Sequence, residues 1–237
     1  MDENMGRTHG KCGCQREEFL DCELDSGRRH RATMCPIRRI SSLIHSKEKS
    51  DKEILLAYFL APLITGIKPS TILTFKKNTN GLYEYWMDFS GEFLNSYGFA
   101  CTLISVKKDQ CQILFYDIHN LSEHLRMEEH QVFLSRFGYT PCATFDCLTK
   151  LAKKMKDGFP HESGIFFGIP LDDVKAYMDN KDFIYQGYWK VYQEERVAEK
   201  IFHYYDASKH LILSYSNNEL LPRAKNKFLK QKNHLYA

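Results

Sequence analysis

Residues 158–192 constrain the fold most strongly, because they are rich in glycine, proline and aromatic residues. They lie between two predicted helices, where most proteins have a short polar connection. Pro160 and Pro170 each fix φ and lack a backbone donor, and glycines permit conformations that other residues rarely adopt. One long helix or strand therefore cannot occupy this segment. The pattern predicts turns and short elements, which could shape a ligand pocket around the His161–Glu162 pair.

Regular elements are predicted on the N-terminal side of this segment. Ser50 and Glu53 have the spacing of a capping box, in which a serine oxygen and a glutamate satisfy exposed backbone amides, and this predicts a helix over 50–64. Apolar residues at three- and four-residue steps predict a second helix over 82–94, ended by Gly98. Two further patterns predict a strand over 71–75 and a β-hairpin over 99–118.

Helices dominate the C-terminal half. The sequence predicts four helices, over 128–137, 142–155, 171–178 and 194–204. The aromatic run 188–192 is a strand candidate, and 211–215 fits either a last strand or the end of a helix. Helices and strands mix without a regular βαβ order, so the predicted class is α+β, with a small, mainly antiparallel sheet packed by helices in a single domain.

Composition divides the chain into three parts. Residues 1–49 are rich in Arg, Glu, Gly, Ser and Cys with little apolar periodicity, which predicts an extension with little order. Residues 50–215 form the predicted domain, and 216–237 form a basic tail with five basic residues and no acid from Leu220 onward. The tail lacks the interleaved aromatic residues of a single-strand binding platform, so nucleic acid is not the expected partner.

The chain carries no apolar run long enough to span a bilayer and no apolar leader near its start, so the expected location is the cytoplasm. Thiols there remain reduced as a rule. The eight cysteines contain no CxxC pair, and no metal site is predicted from their spacing. The cysteines at 12, 14, 22 and 35 leave open a metal or iron–sulfur role, although they match no established zinc pattern.

Four separated motifs then identify a resemblance. The chain resembles an uncharacterised bacterial family, a domain of unknown function typical of anaerobic Gram-positive bacteria, over roughly residues 52–207. The motifs are 61–69 (APLITGIKP), 113–116 (ILFY), 159–174 (FPHESGIFFGIPLDDV) and 187–192 (GYWKVY). In the third motif Ser163, Ile169 and Lys175 depart from the pattern that the resemblance implies, which indicates a divergent member. The resemblance supplies no activity, cofactor or partner.

Candidate catalytic residues are His161, Glu162 and Cys142. A histidine titrates near neutral pH, and a nearby carboxylate can fix its tautomer or raise its pKa. Cys142 follows Pro141 in a predicted first helical turn, where the helix dipole can lower a thiol pKa. With His161 it would form a cysteine–histidine unit for acyl transfer. The alternative is a structural turn in which His161 and Glu162 cap backbone groups.

Candidate ligand-binding residues come from the loop after the first helix and from the two C-terminal motifs. Lys68 could contact an anion, although Pro69 prevents a phosphate loop from continuing into a helix. Aromatic side chains of 185–192 could stack on a planar ligand, or could belong to a half-buried strand. The predicted set is Lys68, Gly164, Gly168, Asp173, Tyr188, Trp189 and Lys190.

Three function classes follow from these residues. No complete catalytic constellation is legible, and the glycine-rich motif could line a pocket, so a small-ligand-binding or regulatory domain is the leading hypothesis. The alternatives are an enzyme that uses a His161/Glu162 site with a cysteine nucleophile, and a metal or redox accessory protein. Cofactor, ligand identity and oligomeric state are left open by the sequence.

Overall fold

A three-stranded antiparallel sheet divides the fold into two packed halves. The computed structural model describes residues 36–140 and 143–214. Strands β1 (Ser70–Lys76), β2 (Ala100–Lys107) and β3 (Gln110–Tyr116) pair in the order β1–β3–β2, and a register shift interrupts the β2–β3 ladder between Leu103 and Ser105. The predicted strand and hairpin are therefore confirmed.

Side-chain alternation along β3 creates the two halves. Ile113 and Phe115 belong to one buried cluster, whereas Leu114 and Tyr116 belong to another. Successive residues of a strand point to opposite faces, so a central strand that is apolar on both faces requires cover on both sides. Helices supply that cover, and the predicted α+β class is confirmed.

Helices of the N-terminal part pack on the face of Ile113 and Phe115, together with the end of the last helix. They are α1 (Pro36–His45), α2 (Lys49–Phe59), α3 (Ala61–Ile64) and α4 (Leu82–Tyr97), joined by the C-terminal end of α10 (Glu195–Ser214). Helix α4 was predicted, and it ends as expected at Gly98, whose φ of 68° places it in the left-handed region that glycine tolerates.

The opposite face carries five helices, and a small hairpin completes the fold. The helices are α5 (Ile118–Arg126), α6 (Glu128–Ser135), α7 (Thr144–Met155), α8 (Ser163–Phe166) and α9 (Leu171–Met178). Strands β4 (Tyr185–Gln186) and β5 (Lys190–Val191) form the hairpin, which packs on α10. Strand structure within the candidate segment 188–192 is thus limited to two residues.

Several predicted boundaries are wrong. The helix predicted over 50–64 begins at Lys49 and breaks at Leu60, because Pro62 in the following turn has no N–H to continue the ladder. Its N-cap is Glu48, so Ser50 is not the cap. Of the two alternatives for 211–215, the end of a helix is confirmed for residues 211–214, which belong to α10.

Helices α1 and α5, and the four-residue α8, were not predicted. Helix α1 lies within 1–49, so the expectation of little order is wrong for its residues; it is anchored by the buried Leu43. Helix α5 directly follows β3, and the Asp117 side chain accepts hydrogen bonds from the backbone of His119 and Asn120. That N-cap, followed by Leu121 and a second buried leucine four residues later, is a signal that the sequence contained. Residues 1–35 and the tail from 215 lie outside the described residues.

A buried lysine connects α1, α2 and the turn before α4. The Lys52 ammonium donates hydrogen bonds to the carbonyls of Leu43 at 3.0 Å, Ile44 at 2.9 Å and Asn80 at 2.6 Å. Burial lowers the Lys52 pKa. The three carbonyls use all three ammonium donors, so this cation is a structural one.

Replacing Lys52 with methionine is expected to lower the free energy of unfolding by about 2 kcal/mol, because hydrogen bonds from a charged donor are lost and three carbonyls lose a partner. Urea denaturation of both proteins measures the difference. Lys47→Met, at an exposed position on the same connection, is the control and should change stability by less than about 0.5 kcal/mol. Equal stabilities of the two variants would contradict the structural role.

Candidate functional site

A cavity of about 350 Å³ lies where α8, α9 and β5 meet. Its walls are mainly apolar, and five polar or charged side chains, those of His161, Ser163, Asp173, Tyr177 and Lys190, also line it. Concave, mostly apolar sites with a few polar groups are typical of small-ligand pockets, and this volume lies within their usual range of roughly 300–1,000 Å³. The lining residues are Phe159, Pro160, His161, Ser163, Gly164, Phe167, Ile169, Asp173, Val174, Tyr177, Trp189 and Lys190.

Glycine at 164 allows α8 and α9 to approach closely behind this cavity. A Cβ atom at that position would lie 2.7 Å from Cγ2 of Val174, a distance that real side chains do not tolerate. Gly168 closes α8 with a φ of 74° and lies against Pro69, where a Cβ would come within 2.8 Å of the proline ring. Both predicted glycines therefore shape the backbone around the site, and Gly164 also lines the cavity.

Asp173 holds the third and fourth sequence motifs together. This residue is 3% exposed, and its Oδ2 accepts a hydrogen bond from Trp189 Nε1 at 2.7 Å. Its Oδ1 accepts from the backbone N–H groups of Tyr192 at 2.8 Å and Gln193 at 3.2 Å. A buried carboxylate with three N–H donors is satisfied. Asp173 lines the cavity, and its oxygens position β5 and the indole ring.

The Trp189 ring is fixed from the other side by α10. Its centroid lies 4.4 Å from that of Phe202 in an edge-to-face arrangement. Edge-to-face packing is a favoured geometry for aromatic pairs. The hydrogen bond to Asp173 and the contact with Phe202 together orient the indole that forms one wall of the cavity.

His161 and Lys190 lie beside the aromatic part of the wall. The His161 ring contacts the Tyr177 ring edge-to-face, with centroids 5.1 Å apart. The Lys190 ammonium lies 5.6 Å from the centroid of Tyr177 and 5.1 Å from that of Phe183. His161 is exposed and Lys190 is half-buried, so both present polar groups where a ligand could reach them from solvent.

Glu162 belongs to a different environment from its neighbour. The residue is 4% exposed, and its Oε1 accepts a hydrogen bond from Lys154 Nζ at 2.5 Å and another from the Tyr139 hydroxyl at 3.4 Å. Burial, followed by the charge of Glu162, raises the pKa of Tyr139. The structure therefore does not bring the His161 and Glu162 side chains together as a pair.

The cysteines within the described residues have structural surroundings. Cys147 is buried, and its Sγ donates to the Thr140 carbonyl at 3.3 Å. Cys111 is buried in the first core and Cys101 packs against it, and burial raises the pKa of both thiols. Cys142 and the cysteines at 12, 14, 22 and 35 lie outside the described residues. Across residues 36–140 and 143–214, no three His, Cys, Asp or Glu residues are grouped as metal ligands.

Two predicted ligand-binding residues lie elsewhere. Tyr188 and Lys68 contact α10: the Tyr188 hydroxyl donates to Asp206, and the Lys68 ammonium lies 5.5 Å from the Tyr205 ring centroid. The sequence missed the apolar walls supplied by Phe167 and Tyr177, which the aromatic content of 158–192 could have indicated. The predicted set is therefore divided between the cavity and a second cluster on α10.

A larger cleft of about 640 Å³ lies between the end of α1 and the turn before α4. Lys52 is part of its lining, but the hydrogen bonds of that ammonium are already used by three carbonyls. Most of its other lining residues carry polar or charged side chains. This cleft therefore has less of the apolar character expected of a ligand pocket than the cavity at Trp189.

The fold and the cavity define an α+β domain with helices on both faces of a three-stranded sheet and a small apolar site between short elements. The chain belongs to the family described as Protein of unknown function (DUF3793), whose model matches residues 56–223. The match includes all four motifs and every residue that lines the cavity. No curated protein and no solved structure matches the chain. None of the helices in the described ranges has the length and apolar character required to cross a membrane.

Proposed function

We propose that this protein is a small-ligand-binding or regulatory domain and that its ligand occupies the cavity between α8, α9 and β5. The observation that supports the proposal is that several candidate site residues line the same cavity. His161, Gly164, Asp173, Trp189 and Lys190 come from two motifs within residues 158–192, were each selected as candidate site residues, and line one cavity. A cytoplasmic location and the lack of a nucleic-acid role remain expectations from the sequence.

The lining indicates the chemistry of the ligand. Aromatic side chains of Phe159, Phe167 and Tyr177, together with the Trp189 ring, favour a flat, largely apolar body. The Lys190 ammonium donates only, so it favours an acceptor such as a carboxylate on that body. A small aromatic acid combines both properties, and the cavity volume of about 350 Å³ favours a compact ligand.

The enzyme alternative has weaker geometric support. A His161–Glu162 unit needs the two side chains within hydrogen-bond reach, whereas the Glu162 carboxylate binds Lys154 and Tyr139. The oxygens of Asp173, the other carboxylate near His161 in the cavity, accept three hydrogen bonds from neighbouring N–H groups. The metal or redox alternative depends on N-terminal cysteines outside the described residues and stays a prediction.

A thermal-shift screen tests ligand binding. We expect a member of a panel of benzoate, indole-3-carboxylate, phenylalanine and tryptophan to raise Tm. At a concentration of 100 times its Kd, a ligand stabilises the native state by about 2.7 kcal/mol, equivalent to about 5–10 °C for a domain of this size. His161→Ala should reduce that shift at least twofold without lowering the Tm of the unliganded protein by more than about 2 °C, because the side chain is exposed.

His203→Ala is the matched control, since His203 is an exposed histidine on α10 that does not line the cavity. It should retain the full ligand-induced shift. A shift that persists unchanged in His161→Ala would place the ligand elsewhere. A panel that moves Tm in neither the wild-type protein nor the control would count against aromatic acids as the ligand class.

A further inference from the structure

A second group of charged and aromatic side chains lies on α10, apart from the cavity. Lys68 follows α3 and reaches α10, where its ammonium lies 5.5 Å from the centroid of the Tyr205 ring. Among the residues that the structure describes, no atom accepts a hydrogen bond from this ammonium, and Lys68 is half-buried. A crowded cation without an acceptor is expected to favour an anionic partner.

A second cation is adjacent. The Lys209 ammonium donates a hydrogen bond to the Tyr188 hydroxyl at 2.7 Å and lies 4.5 Å from the centroid of the same ring. It also lies 5.8 Å from the centroid of Tyr58 on α2. The two ammonium groups therefore lie among residues of α2, α10 and the connections before β1 and β5.

The charges in this cluster do not balance. Asp206 accepts a hydrogen bond from Tyr188 and partly offsets the charge of Lys209, whose pKa is lowered by burial and raised by Asp206. Burial and the Lys209 charge together lower the pKa of Lys68 to about 8. With both lysines protonated and Asp206 ionised, the cluster carries one positive charge in excess, which a bound anion would neutralise.

We propose that Lys68 and Lys209 form a binding site for a compact oxyanion, either a carboxylate or a phosphate. An oxyanion accepts hydrogen bonds without donating, which matches two ammonium groups that can only donate. The buried Tyr205 ring and the half-buried Tyr58 ring exclude part of the water around the ammonium groups, which strengthens the attraction. This site is distinct from the proposed cavity, because its lysines and tyrosines are not part of the cavity lining.

Chemical labelling of the wild-type chain tests the site. The protein is treated with N-hydroxysuccinimidyl acetate at pH 8 in sodium chloride, sodium phosphate or sodium succinate of equal ionic strength. Peptide mass spectrometry then gives the acetylation rate at each lysine. We expect phosphate or succinate to slow the labelling of Lys68 at least threefold relative to chloride, because the bound anion keeps the amine protonated and covers it. Lys200, an exposed lysine on α10, should be labelled at one rate in all three salts.

The three salts distinguish the possible ligands. Protection by phosphate alone assigns a phosphate site, protection by succinate alone assigns a carboxylate site, and protection by both supports a general oxyanion site. Equal labelling of Lys68 in all three salts would overturn the proposal. This experiment needs no variant, so it does not depend on the folding of altered proteins.

Two variants test whether both lysines take part. Lys209→Met keeps the apolar stem but removes the charge, and it should abolish the protection of Lys68. Lys200→Met, on the same helix, should retain it. Full protection of Lys68 in Lys209→Met, in protein with an unchanged circular dichroism spectrum, would overturn the two-lysine site.

Discussion

Replacing Asp173 with alanine is expected to lower the free energy of unfolding by about 3–5 kcal/mol, because each buried N–H donor that loses its acceptor costs roughly 1–3 kcal/mol. The substitution leaves the indole N–H of Trp189 and the backbone N–H groups of Tyr192 and Gln193 without their acceptor. Such a loss is a large part of the 5–15 kcal/mol that typical domains possess. Urea denaturation followed by circular dichroism measures it.

Asp172→Ala provides the matched control. Asp172 precedes Asp173 on α9, but its side chain is 65% exposed and contacts Lys175 at 3.5 Å. Its replacement should cost less than about 1 kcal/mol, which covers an exposed ion pair and the helix dipole. The stability loss of Asp173→Asn should lie between those of Asp172→Ala and Asp173→Ala. In this variant Oδ1 still accepts from the backbone, whereas an amide N–H₂ faces the indole N–H donor. Similar losses for Asp172→Ala and Asp173→Ala would contradict the anchoring role.

Glu162→Ala is expected to cost about 1.5–3 kcal/mol, because Lys154 and Tyr139 both lose the buried carboxylate that accepts their hydrogen bonds. Glu162 and Lys154 form an ion pair at 2.5 Å, and the glutamate side chain is 5% exposed. Chemical denaturation gives the change. The result also bears on function, since a carboxylate needed for this pair is not available to His161.

The Lys49–Glu92 pair supplies the comparison. Its atoms are 2.6 Å apart, but the side chains are 46% and 67% exposed. Water solvates both charges before and after folding, so Glu92→Ala should cost only about 0.2–1 kcal/mol. Burial, not distance, is therefore the expected cause of the difference. Equal costs for Glu92→Ala and Glu162→Ala would show that burial does not control the strength of the inner pair.

Sequence patterns predicted the elements whose formation depends on interactions between residues close together in the chain. The helical face from Leu82 to Leu94 and the left-handed glycine at 98 specify α4 within one stretch of chain, and the hairpin of β2 and β3 joins neighbouring segments. Helix α1 escaped prediction although Ile40, Leu43 and Ile44 recur at helical spacing, because the polar composition of 1–49 as a whole outweighed this short pattern. Its carbonyls at Leu43 and Ile44 bind the Lys52 ammonium, which no periodicity reveals.

The sequence indicated several residues that belong to the candidate site, but it did not indicate what each side chain contacts. The residues of 158–192 were selected for glycine, aromatic and charged character, and several of them line the cavity. The interactions of Asp173 reach 16 to 20 positions along the chain, which spacing alone cannot show. Glu162 follows His161 directly in sequence, yet the short helix α8 begins there and the carboxylate is buried against α7.

The side chains of Tyr188 and Trp189 belong to different sites, although the residues are neighbours in sequence. Both belong to one aromatic motif, and both rings pack near Phe202 on α10. The indole nevertheless turns toward Asp173 and the cavity, whereas the Tyr188 hydroxyl turns toward Asp206 and Lys209. Both residues lie in the turn between β4 and β5, where their side chains contact different partners, so one motif contributes to two sites.

A ¹H–¹⁵N correlation spectrum tests the central claim, that a small ligand binds at this cavity, most directly. The chain contains two tryptophans, so two indole N–H signals are expected, and a Trp86→Phe variant assigns them. Trp86 packs against Phe75 and Phe115 in the first core, away from the cavity. Titration with a small aromatic acid that raises Tm is predicted to shift the Trp189 signal and leave the Trp86 signal in place. A Trp189 signal that stays fixed while such a ligand stabilises the protein would contradict binding in this cavity.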